Sequence, residues 1–178
     1  MGDNKNVSRQ GKVPFRALDK AFFGIGLALC LAATIYTGLI YGSLPDTIPT
    51  HFDFLGKADA WGAKSSIWIG PIITLPTILV IVVVSMFNTN TTKNGKVLSP
   101  EGNVKVVDHM RRMLSLISPC IGVISWDLVL SMSGKLTGNL LILVAIGGIL
   151  AVAIGYSLVI WRVMSKDPGV EGKEGPFL

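Results

Sequence analysis

Four apolar runs, near residues 21–41, 67–87, 113–133 and 139–161, leave this chain very few ways to fold. Each holds roughly 21–23 residues. As α-helix, at about 1.5 Å rise per residue, such a run reaches about 31–35 Å and crosses a hydrocarbon core of about 30 Å. In lipid the backbone has no water to bond to, so each run must satisfy its own amides as a helix. None shows the sustained period-2 alternation of a strand. Only 15% of the 178 residues are charged, against roughly 25% in soluble domains. The expected fold class is all-α: a polytopic membrane protein with four transmembrane helices in one domain over 21–164. The lipid bilayer is its first partner.

The basic residues orient this domain. Thirteen of the sixteen Lys and Arg lie in the segment 1–20, the loop after the second run, or the stretch 162–178 that follows the fourth. Three lie on the opposite side: Lys57, Lys64 and Lys135. The positive-inside rule then places both termini in the cytoplasm and the 45–64 segment outside. The net charge of +5 is this topology signal and calls for no nucleic-acid partner. Residues 1–20 read as a basic cytoplasmic segment and 165–178 as a flexible cytoplasmic tail.

Within the runs, Cys30 and Cys120 read as small packing residues, with no disulfide or metal pairing. Gly24, Ala28 and Ala32 form a small-residue ridge on the first run. Gly147, Ala151 and Gly155 form another on the fourth. The favoured reading packs these ridges within the chain, span 1 against span 4; the alternative is a homo-oligomer. Pro76 removes an amide donor in mid-helix and is expected to kink span 2. Asp127 is the one acidic residue inside a run, and Ser131 stands one turn further along the same face. A carboxylate there costs a few kcal/mol if it meets lipid, so Asp127 is expected to face the protein interior. Lys64 and Lys135 are its expected partners; a proton relay or ion ligand is the functional alternative. Ser99-Pro100-Glu101 reads as an N-cap, a first-turn proline and a dipole-matching acid, starting a helix that continues into span 3.

The segment 45–64, between the first two runs, is far richer in chemistry than a connector needs. Leu44-Pro45-Asp46 should end span 1. Ile48-Pro49-Thr50 should be extended, because a residue before proline avoids the α region. His51 and Asp53, two apart, share a face of an extended chain, and Asp46 and Asp59 are near enough in sequence to join them. One His without Cys is a poor metal set, so no metal and no cofactor are expected. Ile48, Phe52, Phe54, Leu55 and Trp61 are expected to cover the helix ends and order the loop.

The pattern Leu44-Pro45, Ile48-Pro49, His51-Phe52, Gly56, Asp59, Trp61-Gly62 and Lys64, just after a first membrane helix, resembles a bacterial and archaeal membrane domain of unknown function. That domain occurs in relatives of the sporulation-delaying-toxin immunity protein. The resemblance covers about residues 20–87. It implies a small multi-pass protein of the prokaryotic cytoplasmic membrane. In some relatives the implied role is protection against a secreted peptide toxin, with signalling through a sequestered transcription regulator.

The resulting expectation is a non-enzymatic membrane protein of the immunity or signalling class. Its outer loop would contact a peptide, lipid or protein partner through Pro45, Asp46, Pro49, His51, Phe52, Asp53, Gly56, Asp59, Trp61 and Lys64. The alternatives are an accessory subunit of a larger membrane complex and a small ion- or proton-coupled transporter using Asp127. His-Glu-x-x-His, Gly-x-Ser-x-Gly and phosphate-loop motifs are missing from the sequence, which argues against an enzyme.

Overall fold

The computed structural model describes residues 13, 15–87, 91–93 and 96–169. The remaining residues of the 1–20 segment and of the tail, and so the expected flexibility of the tail, lie outside the described residues. Four long helices carry the apolar runs: α1 Ala17–Tyr41, α2 Ile69–Met86, α3 Pro100–Met132 and α4 Leu140–Lys166. All four are long and apolar enough to cross a membrane.

The all-α expectation needs one correction. Between α1 and α2 the chain forms an antiparallel hairpin, β1 Thr47–Phe52 with β2 Ala58–Ala63. A 3-10 turn, Lys64–Trp68, then leads into α2. A two-residue ladder, β3 Thr92–Lys93 with β4 Lys96–Val97, precedes α3. Strand forms where the helical runs stop because Pro49 donates no amide and holds Ile48 extended. Residues 47–52 then carry a single buried side chain, Ile48.

α3 is the axis of the bundle and packs against α1, α2 and α4. Its face toward α1 and α2 is built from small residues: Ser115, Ser118, Gly122 and Ser125. Their spacing of three and four keeps them on one stripe. Small side chains let the backbones come close. A Cβ added at Gly26 of α1 would lie 2.6 Å from the Ser118 backbone, and one at Gly122 would lie 2.5 Å from Leu29 Cβ. Ser118 gives its hydroxyl to Leu114 O at 2.9 Å, and Thr74 of α2 gives its own to Gly70 O at 2.9 Å while its oxygen lies 2.9 Å from Ser125 Oγ. These buried hydroxyls are therefore satisfied locally and act as packing residues.

The expected ridge contact between spans 1 and 4 is not made. Gly24, Ala28, Ala32, Gly147, Ala151 and Gly155 are all exposed, and a Cβ at any of the three glycines would meet nothing within 4 Å. α4 rests on α3 and has no comparable contact with α1. The ridge that packs on α1 is offset by two residues, through Gly26, Cys30, Ala33 and Thr37. The physical reason lies in α3, whose small-residue stripe selects the α1 face that can approach it.

Both ends of α3 and α4 are joined by aspartates. Ser99 caps α3, accepting from Gly102 N at 3.1 Å, and Asp167 at the end of α4 accepts from Ser99 N at 3.0 Å and Ser99 Oγ at 2.5 Å. At the other end, the Asp127 carboxylate of α3 lies near the backbone N–H of Ile142 in the first turn of α4, with its Oδ1 buried and without a hydrogen-bond partner among the described residues. Each carboxylate thus faces a helix N-terminus, where free amides and the helix dipole favour negative charge.

Candidate functional site

The hairpin is seated on the end of the bundle by Ile48. Its side chain is buried with Ile67, Val129 and Met132, and Tyr36, Ile40, Tyr41, Leu44, Phe52 and Trp68 close around them. Burying one such aliphatic side chain is worth about 1.5–3 kcal/mol. At the base, Lys64 N donates to Asp46 O at 2.9 Å, and Lys64 Nζ meets Asp46 Oδ1 at 3.0 Å. Pro45 is exposed in the turn just before. Pro49 stands opposite Trp61.

The tip is a tight turn whose chemistry explains two of the expected residues. Asp53 Oδ1 accepts from Leu55 N at 2.9 Å and Lys57 N at 2.8 Å. This is the local side-chain bonding that suits Asp to turns. Gly56 has φ 77°, a left-handed conformation that glycine adopts without penalty. It also lies directly against Gly138 in the α3–α4 connection, where no Cβ would fit. Asn139, the residue before α4, donates its side-chain amide to Phe54 O. The hairpin tip therefore leans on the start of α4.

His51 Nδ1 and Asp59 Oδ1 are 2.6 Å apart across the two strands. Both side chains are solvent-exposed, where such a pair contributes at most about 1 kcal/mol. Asp46 and Asp53 do not join them, being held by Lys64 and by the turn. Among the described residues no group of three or more His, Cys, Asp or Glu is arranged to hold a metal ion.

The apolar residues of the segment divide into two sets, where the sequence reading expected one. Ile48 and Phe52 cover the helix ends. Phe54, Leu55 and Trp61 are 82%, 80% and 59% exposed. Between the tip and the α3–α4 connection lies a cleft of about 380 Å³, with walls from Pro49, Phe52, Leu55, Ser131, Leu136 and Gly138.

Asp127 is buried, as is Ser131, in keeping with an interior carboxylate. Its expected lysine partners are engaged elsewhere: Lys64 with Asp46, and Lys135 with the Tyr36 hydroxyl at 2.6 Å. Asp127 instead lies near the Ile142 amide in the first turn of α4. Sequence reasoning missed Gly138 and Asn139. An Asn before an apolar run is a helix-start signal, but its reach to Phe54 O depends on the tertiary placement of the tip.

No curated protein and no solved structure matches the chain. Residues 28–75, which take in most of α1, the whole hairpin and the start of α2, match the family model described as a domain of unknown function, DUF1648.

Proposed function

We propose that this protein is a non-enzymatic integral membrane protein of the immunity or signalling class, and that the β1–β2 hairpin is its docking surface for a partner. The observation that carries this reading is the exposure of Phe54, Leu55 and Trp61 on a hairpin already fixed by Ile48. Large apolar groups held outward on an ordered hairpin mark interaction sites, and Trp is favoured among residues that dominate binding energy. Seating by Ile48 removes ordering cost from the binding event.

In this reading the hairpin lies outside the prokaryotic cytoplasmic membrane and both termini lie inside, as the basic-residue distribution supports. The burial of Asp127 beside the first turn of α4, near the Ile142 amide, supports a structural role for that carboxylate over ion-coupled transport.

The test is affinity capture in mild detergent from cells making the wild type or a Phe54→Ser/Trp61→Ser double variant. The expected result is a stoichiometric partner with the wild type and its loss with the variant, both proteins eluting as the same monodisperse species. Equal recovery of the partner by the two would refute the hairpin as the docking surface.

A further inference from the structure

The cleft between the hairpin tip and the α3–α4 connection, about 380 Å³, falls within the roughly 300–1,000 Å³ of small-ligand sites. Both of its walls are apolar, with Pro49, Phe52 and Leu55 from the hairpin and Leu136 from the connection. Ser131, in the last turns of α3, and Lys57, on the hairpin, also line it. Because the hairpin is seated beyond the end of α3, Lys57 stands on the water side of the apolar walls and Ser131 on the bundle side.

The charge around the cleft has one sign. Lys57 is exposed and makes no ion pair among the described residues. No carboxylate lines the cleft. The carboxylates nearest to Lys57 along the chain are occupied, Asp53 by the turn and Asp59 by His51.

The backbone of the walls is already bonded. Lys57 N donates to Asp53 Oδ1, and Asp53 N to Lys57 O, each at 2.8 Å. Gly56 N donates to Asp53 O at 2.9 Å, Gly134 N to Ser131 O at 3.0 Å and Leu136 N to Leu130 O at 3.2 Å. A peptide lodged here would bring amides to walls whose own amides are taken, and burying an unpaired amide is costly. A hydrocarbon chain carries no such cost. The cleft also adjoins the bilayer-facing side of the bundle. Gly138 in its wall is two residues before Leu140, which is 72% exposed at the start of α4.

We infer that this cleft binds an anionic phospholipid, holding the upper part of one acyl chain between Phe52, Leu55 and Leu136 with the headgroup phosphate at Lys57. The sequence of cation, then apolar wall, repeats that of a leaflet, with headgroup outside and chain within. A lysine stem lies along apolar surface while its ammonium reaches the polar layer. This inference rests on the bundle spanning a bilayer and not on the docking role of the hairpin, since Phe54 and Trp61 lie outside the cleft walls.

The test places the full chain in phosphatidylcholine nanodiscs doped with phosphatidylglycerol that carries a photoreactive diazirine near the glycerol end of one acyl chain. Cross-links are expected within 49–58 and 131–138. Thr137→Trp, which puts a bulky ring in the cleft wall, should abolish them at an unchanged thermal midpoint. Lys57→Gln should weaken labelling by up to about fivefold, the upper worth of one exposed ion pair, and Lys57→Arg should restore it. Trp61→Ser should leave it unchanged.

Cross-links confined to the outward faces of the helices would overturn the inference, as would labelling indifferent to Thr137→Trp or to Lys57→Gln. Equal labelling by a phosphatidylcholine probe would remove the anionic headgroup from it. A diazirine fatty acid that labels the cleft where the phospholipid does not would give the site to a free acid, and displacement of the probe by capped apolar hexapeptides would give it to a peptide. None of these results bears on partner capture through Phe54 and Trp61, which stands or falls separately.

Discussion

The two ends of the bundle are closed by opposite chemistry. At the hairpin end the seal is apolar, with Ile48 of β1 inserted among Ile67, Val129 and Met132. At the other end it is polar. Arg111 of α3 is 2% exposed and donates to Val13 O at 2.7 Å and Ser85 O at 3.0 Å, with its guanidinium 4.0 Å from the centre of the Phe15 ring. Asp19 of α1 is buried close by and accepts from Ser115 Oγ at 3.2 Å. Apolar contact holds the hairpin without directional constraint and leaves its upper surface free for a partner. The guanidinium is directional. It binds the chain before α1 and the end of α2 to one point on α3, fixing three segments at once.

The contrast predicts unequal costs of mutation. Arg111→Ala strands two buried carbonyls and leaves Asp19 without its nearby cation. Breaking such a buried charged network costs about 3–5 kcal/mol, so thermal stability in mild detergent should fall sharply. A loss below about 1 kcal/mol, the range of an exposed ion pair, would show that the polar seal is superficial.

Ile48→Ala should cost about 2–3 kcal/mol, at the lower part of the range for deleting a buried aliphatic side chain, because the hairpin can settle into the space. The damage should be local. Amide exchange should accelerate through β1 and β2, with α1 and α3 as protected as before. Uniform loosening of all four helices would mean that the hairpin is part of the global core and not a mounted element.

Asp127→Asn should be the mildest of the three. An amide oxygen can accept from the nearby Ile142 N–H as a carboxylate can, and what disappears is the charge–dipole attraction at the α4 terminus, about 0.3–1 kcal/mol. Unfolding of the variant would check this, and a cost equal to that of Arg111→Ala would erase the distinction between the ends.

The helices were legible because lipid imposes a length and a composition on them, and Ser99-Pro100-Glu101 announced the start of α3 through local capping chemistry. The hairpin was half legible. Pro49 declared extension, yet Ala58, Ala60 and Gly62 carry no strand signal, since β-propensity reflects packing against neighbours. Facing was the least legible property. Gly24 and Gly26 are both candidates for close approach when α1 is read alone, and only the stripe Ser115, Ser118, Gly122 and Ser125 on another helix decides for Gly26. The outward turn of Phe54, Leu55 and Trp61 was hidden for the same reason, because apolar residues near helix ends look like covers until the bundle shows that Ile48 and Phe52 already fill that place.

The account stands on a four-span chain that presents its hairpin outside the cell, and labelling of intact cells tests this most directly. Ala58→Cys, on the exposed hairpin, and Thr91→Cys, between α2 and α3, would each be treated with a membrane-impermeant maleimide before and after permeabilisation. Residue 58 should label in intact cells and residue 91 only after permeabilisation. The reverse pattern, or labelling of both in intact cells, would contradict the topology and with it the hairpin as an outer docking surface.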